Sequence, residues 1–432
     1  MSVKSVIAAL LSLALVPGLA FAGAEGEQRA AGEDGPVEIL FYMWEDPTYV
    51  DIVETFNTSQ DEIFVHARVI PSADYETRLM TLLAGGAQMD AFMQKRQVDM
   101  FGHHAAGYIE PLDQLIQQFD YDLAAVAAYS DAITVDGQTL AIPFRGATYY
   151  TYFNKALFDA AGQPYPTEYV ERGEWTWDQF AQTAIAMTTE DHYGSHIHVW
   201  GLLQVTPAIQ SGVDFIEQDG TIDIDDSVLQ SFAMRKALEE AGAVYPLLDL
   251  LSTRTHYSTV FFDNQAAMLL IGEWFPGMML DAQRDGRLGF DWEQWGITRL
   301  PSDAPPDQYR SMGAPTFNHV HADSENKAAA FQFIAWMGSA EGAAVVARYG
   351  FLPPLITEEV RTELRTAIPD DTSFTYFTES PPVYPPHYTK YGSRIDVLIP
   401  DLMQDYLIED YSDAQFMALM RERLEEIRET TN

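Results

Sequence analysis

The stretch Asp136 to Phe158, DGQTLAIPFRGATYYTYFNKALF, constrains this chain more than any other. Asp136-Gly137 is a tight-turn signal between two apolar runs, Ala132 to Val135 and Leu140 to Ile142. The second run meets Pro143, which cannot donate to a central ladder. An aromatic, β-rich run from Tyr149 to Phe153 follows, and Asn154-Lys155 opens a helix. Farther on, Thr176 with Gln179 three residues later is a capping-box pattern.

Four segments in order resemble the extracytoplasmic solute-binding proteins of the carbohydrate-binding, maltose-binding-protein-like kind. The first is the segment above, similar to that family's D/N-G-x-x-x-x-x-P stretch and Y/F-N-K-x-x-F helix start. The second is Glu174 to Phe180, close to P-x-T-W-D/E-E-F. The third is Phe261 to Trp274, close to F-x-x-G-x-A-A-M-x-x-x-G-x-W, with Asn264 where the family often has Gly. The fourth runs from Asn326 to Ile334 and on to the G-x-L-P match Gly350 to Pro353. The resemblance implies an α/β, two-lobed periplasmic binding protein fold of type II-like layout. Each lobe is then a mostly parallel sheet flanked by helices, with a hinge between them at Ala141 to Arg145 and Met312 to Ala314. Strands alternating with helices agree with it. The expected segments are a signal peptide at 1–22, an acidic lead-in at 23–35, and lobe one at 36–142. Lobe two follows at 143–287, lobe one returns at 288–338, and lobe two closes the chain at 339–432.

The N-terminus reads as a secretory signal, with Lys4, an apolar core from Val6 to Val16 and the small-x-small site Ala20-Phe21-Ala22. There is no Cys. That removes the lipid-anchored cysteine many relatives use, together with disulfides and thiolate metal sites. The expectation is a periplasmic monomer that is not lipid-anchored. A chain this long exceeds one ordinary core, so two lobes are the physical default. The formal charge is −39, with 64 acidic residues against 25 basic ones. Nucleic acid is excluded as a partner, because a polyanion needs a basic face. An acid-rich, Lys-poor surface suits high salt, where screening removes self-repulsion; an ordinary acidic secreted protein is the other reading.

A neutral sugar is held by aromatic faces on its C–H patches and by bidentate polar groups on its hydroxyls. The chain has 12% aromatic residues. Trp44 and Glu45 follow the first strand at its carboxyl end, where ligands of open α/β sheets bind. Gln94 and Arg96 follow the strand Met89 to Met93, and Arg145, Thr148 and Tyr149 follow Pro143. The resemblance adds Tyr75 at a helix start, Glu273 and Trp274 at the end of the G-x-W match, Gly313 near the second hinge crossing, and Tyr388 and Tyr391 as late stacking aromatics. Trp175 and Trp177 are expected to pack a helix start. Asp90 is expected to be structural.

His103-His104, His192/His196/His198 and His319/His321 form groups without zinc-like order, and are read as solvated loop residues. Asp219 to Asp226 lacks calcium-loop order and reads as a hairpin followed by an Asp-capped helix. No metal or cofactor is expected. The function this implies is capture of a sugar or oligosaccharide and delivery to an ABC importer permease. The alternatives are a binding protein for a polyamine, glycerol phosphate or metal chelate, and a periplasmic glycoside hydrolase, which would need two carboxylates across a scissile bond.

Overall fold

The computed structural model describes residues 35–146, 148–313, 315–379, 383–384 and 389–431. The expected signal peptide, most of the lead-in, Tyr388 and Ala314 lie outside the described residues, as does all of the Pro-rich loop 380–386 except 383–384.

Two sheets carry the architecture. Their strands in chain order are β1 (Val37–Trp44), β2 (Ile63–Ile70), β3 (Ala91–Gln94), β4 (Ile142–Arg145), β5 (Tyr149–Asn154), β6 (Tyr193–Ile197), β7 (Ala266–Gly272), β8 (Trp295–Arg299) and β9 (Thr316–Val320). Lobe one holds a five-stranded sheet of order β2-β1-β3-β9-β4, and lobe two a four-stranded sheet of order β8-β5-β7-β6. Each lobe has its own core, one around Phe41, Phe92 and Phe333, the other around Tyr152, Phe275 and Trp295.

Local chemistry explains the elements. In β1 the alternate residues Ile39, Phe41 and Met43 are all buried, the period of a strand with one inward face. Asp46 then caps the helix Pro47–Ser59 by accepting from the Thr48 amide at 2.9 Å, with Pro47 at the first helical position. All seven residues of β7 are buried, as a central strand covered on both faces requires. Asp136 and Gly137 have φ of 51° and 77°, the left-handed pair that a tight two-residue hairpin needs. Asn264 has φ of 58°, a conformation Asn tolerates better than most side chains, so it substitutes for the family's usual Gly. Thr176 caps the helix Trp177–Met187 through the Gln179 amide, but the Gln179 side chain donates to Thr183 and does not reach back. Asp219 to Asp226 forms the hairpin and Asp-capped helix expected of it.

One strand in each sheet runs against the others. β9 is antiparallel to β3 and β4, and β5 is antiparallel to β7 and β8. These two strands are the ones that enter a lobe from the crossovers, so they start at the junction where the other strands end. The crossovers pair with each other: Thr148 bridges Gly313, and the Ser311 hydroxyl donates to the Tyr149 carbonyl at 2.9 Å. A third crossover runs through Phe351 and Leu352. The Gly146 amide donates to the Leu352 carbonyl at 2.6 Å, and a Cβ on Gly146 would meet that same oxygen.

Two expected boundaries differ. The chain does not return to lobe one at 288, because β8 pairs with β5 and re-entry comes only at β9. The boundary at 339 is not sharp either, because the helix Ala340–Arg348 gives Val345 and Val346 to the lobe-one core and Ala343 and Ala347 to the lobe-two core. Among the described residues no single helix is long and apolar enough to cross a membrane.

Candidate functional site

The carboxyl ends of β1, β3, β4, β6 and β7 converge on the crossovers, and most of the sequence-derived candidates are found there. Arg145 closes β4 and Glu273 follows β7. Arg145 is 6% and Glu273 1% exposed. Nε and Nη2 of Arg145 donate to Glu273 Oε1 at 3.1 and 3.0 Å, and Nη1 donates to the Tyr49 hydroxyl. The other carboxylate oxygen of Glu273 accepts from the Leu352 amide at 2.9 Å, and the guanidinium lies 4.2 Å over the Phe351 ring. Burial pushes the Glu273 carboxyl up, even with the guanidinium beside it. Burial works against the Arg145 charge, but Glu273, Tyr49 and Asp46 together outweigh it and hold its pKa above the ordinary value. This network joins β4, β7, the helix Pro47–Ser59 and the third crossover.

Beside it stands an aromatic wall from lobe two. Trp274 is half-buried, donates its indole N–H to the Tyr257 hydroxyl at 2.8 Å, and meets Tyr149 edge-on at 5.4 Å. Trp200, also half-buried, lies 5.8 Å from Trp274 and 5.7 Å from Tyr257. Trp274 packs against the cores of both lobes. The sequence reading missed Trp200 and Tyr257. Trp44 ends β1 and Trp200 lies three residues beyond β6, so the strand-end argument reaches Trp200 only once Tyr193–Ile197 is recognised as a strand.

The lobe-one candidates are packed more tightly. Trp44 is 7% exposed, with Tyr49 and Tyr75 edge-on at 4.9 and 5.4 Å and Lys95 Nζ 5.8 Å over its ring. Glu45 is exposed, and its amide donates to the Ile70 carbonyl. Tyr75 is fully buried, its hydroxyl held by the carbonyls of Met93 and Tyr42 at 2.7 and 3.2 Å. Gln94 bonds the Arg96 carbonyl and His103. Arg96 reaches between the lobes: it pairs with Asp99 at 3.5 Å and with Asp396 of lobe two at 3.4 Å. Next to it the Ser393 hydroxyl donates to Asp99 at 2.8 Å. Thr148 and Gly313 form the crossover bridge.

Tyr391 stands apart from this group, buried before the helix Gly392–Ile408 with its hydroxyl facing Gly220. Trp175 and Trp177 pack as expected of a helix start. Asp90 is structural, accepting from the Leu40 amide at 2.8 Å and the Ser324 hydroxyl at 2.6 Å.

Most of the grouped histidines are not solvated loop residues; His104 and His192 are half-buried, His192 in an irregular segment. His103, His196, His198, His319 and His321 are buried. Among the described residues, no group of three or more His, Asp or Glu side chains converges as a metal site.

Comparison with known proteins gives the family and the fold. Residues 51–370 match the model of the bacterial extracellular solute-binding protein family. An erythritol/L-threitol-binding protein of Mycolicibacterium smegmatis is 25% identical over 322 residues, which cover 67% of this chain; the chain spans 63% of that relative's length. The crystal structure of a sugar transporter from Rhizobium etli, in an open conformation, has a TM-score of 0.75 at 25% identity, covering 90% of this chain and 99% of that one. An ABC substrate-binding protein of Listeria monocytogenes, solved with cycloalternan, has a TM-score of 0.76 at 22% identity, covering 90% of this chain and 98% of that one. With more than half of its length inside the matched model, this chain belongs to the bacterial extracellular solute-binding protein family.

Proposed function

We propose that the protein captures a neutral sugar, sugar alcohol or oligosaccharide between its lobes and delivers it to an ABC importer permease. The observation that carries this reading is the pair of half-exposed indoles, Trp274 and Trp200, beside crossovers whose charged groups are already paired. An aromatic face with few free charges suits C–H patches and hydroxyls. Arg145 is engaged by Glu273 and Tyr49, which takes support from a phosphate-bearing ligand there; Arg96 lies 3.5 and 3.4 Å from Asp99 and Asp396, with its Nε and Nη2 making no hydrogen bond among the described residues. Glu273 is neutralised by Arg145, which takes support from a polyamine and from hydrolase chemistry. The relatives' names, for erythritol/L-threitol, a sugar and cycloalternan, support polyhydroxylated ligands. On this reading the protein acts in the periplasm as a soluble monomer without a lipid anchor and without catalysis. Trp274, Trp44, Tyr149, Arg145, Glu273, Gln94, Arg96, Tyr75, Thr148 and Gly313 line or support the cleft, and Glu45 lies at its edge.

A thermal-shift panel of erythritol, glucose, maltose, a cyclic glucan, spermidine and glycerol phosphate tests it. A ligand of the folded state at 100 times its Kd stabilises by about 2.7 kcal/mol. A rise in Tm with a neutral member and none with spermidine or glycerol phosphate is expected; the reverse pattern overturns the reading.

A further inference from the structure

A cavity of about 320 Å³ opens at the carboxyl end of β3, between the helices Tyr75–Ala84 and Met100–Ala105, with Ser393 of lobe two on its rim. His103 lines it while only 4% exposed. Its ring orientation and its tautomer are both set by Gln94. The Gln94 Nε2 donates to the Arg96 carbonyl at 2.6 Å. A carbonyl only accepts, so the amide group cannot be turned the other way. Gln94 Oε1 therefore faces His103 Nδ1 at 2.9 Å, and because this oxygen only accepts, Nδ1 carries the proton. Burial pushes His103 below its ordinary value against the pull of Asp99, so the ring is neutral at pH 7. A neutral ring protonated on Nδ1 has its lone pair on Nε2. Nε2 has no hydrogen-bond partner among the described residues. Nε2 is not one of the fully buried polar atoms left without a partner, so its lone pair is reached by solvent and is open to a hydrogen bond from water or a ligand.

We propose that His103 Nε2 is a specificity contact of the solute site, accepting a hydrogen bond from one ligand hydroxyl, with Gln94 as the positioning residue that holds the tautomer. The inference rests on the sugar-capture reading and narrows it. At this point the ligand presents an O–H donor, so an ether oxygen, a carboxylate or a phosphate oxygen is rejected. Lys95, also on the wall, adds little donor capacity, because its Nζ already bonds the Ser72 carbonyl and hydroxyl at 2.7 and 3.1 Å.

The test is histidine-side-chain nitrogen NMR on the whole protein, with the His103 signal assigned from His103→Gln. In the free protein the Nδ1–H tautomer is expected; an Nε2–H tautomer or a cationic ring at pH 7 overturns the proposal. Erythritol, L-threitol, glucose and maltose are then titrated, with binding followed separately by calorimetry. Binding of a panel member with a shifted His103 Nε2 resonance supports the contact. In that case His103→Phe should bind the same sugar about tenfold or more weakly, while His103→Gln, whose amide oxygen still accepts, recovers part of the loss. Calorimetric binding with the Nε2 resonance unmoved overturns this proposal and leaves sugar capture standing. Binding of no panel member overturns sugar capture itself, and this inference with it.

Discussion

At Trp274 packing and recognition use the same ring. Its N–H is held by Tyr257, its edge meets Tyr149, and it lies so close over Gly272 that a Cβ there would have no room. The side chain still keeps part of its surface open. Trp274→Ala should therefore weaken sugar binding by about 2–4 kcal/mol, roughly 30- to 1000-fold, the range for an anchor aromatic. It should also cost stability, about 1–3 kcal/mol, because the ring packs on both cores. Calorimetry beside urea unfolding separates the two effects; wild-type affinity contradicts the assignment, and a variant that no longer folds marks Trp274 as a core residue.

Trp44 shows where sequence reasoning stopped. Its place at a strand end was legible, but the enclosure by Tyr49 and Tyr75 comes from two helix starts, and strand position does not reveal it. Arg145 and Glu273 were legible as candidates. Their mutual pairing was not, because it joins residues far apart in sequence through a long-range fold contact.

Among the elements, β6 and β9 bring charge-silent histidines into the cores. His196 Nε2 lies 3.4 Å from His198 Nδ1, and buried Arg235 donates to the Ile197 carbonyl between them. Burial, with His256 and Arg235 adding to it, lowers His198 to about 4, and burial lowers His319 to about 3. His196 is lowered well below the ordinary value for the same reasons, with His198 a further neighbour. Each folded pKa is depressed below the unfolded value of about 6.5. In that window the unfolded chain binds more protons, so the stability these groups contribute is present above pH 6.5. It is lost as pH falls toward 4 for His198 and toward 3 for His319. Each such histidine adds a slope of up to about 1.4 kcal/mol per pH unit. Urea midpoints should fall steadily between pH 6.5 and pH 5; a flat profile there contradicts the buried, neutral assignment.

The same scale explains the misplaced boundary at 288. Trp295–Arg299 reads locally as a strand in either lobe, and only its antiparallel register with Tyr149–Asn154 decides which. The crossovers at Pro143 and Met312 were legible through the family resemblance, and the pattern of Pro and Gly alone would not have given them. The third, at Phe351-Leu352, was legible as a motif, but its role depends on the long-range bonds of Leu352 to Gly146 and Glu273.

The whole molecule carries a formal charge of −39. Removing NaCl lengthens the screening distance from about 8 Å at physiological ionic strength to about 30 Å at 0.01 M, so self-repulsion rises. The melting temperature should fall in low salt; equal or higher stability there argues against adaptation to a saline setting. The two-lobed layout itself was legible from ordered motifs and length, while the state of the cleft depends on inter-lobe contacts such as Arg96–Asp396 and Ser393–Asp99. Those contacts join lobes that the account requires to separate and close around a solute through three crossovers. Small-angle scattering with and without a saturating sugar, binding confirmed by calorimetry on the same sample, tests this most directly. The account predicts a smaller radius of gyration in the sugar-bound protein, and an unchanged radius with binding confirmed would contradict it.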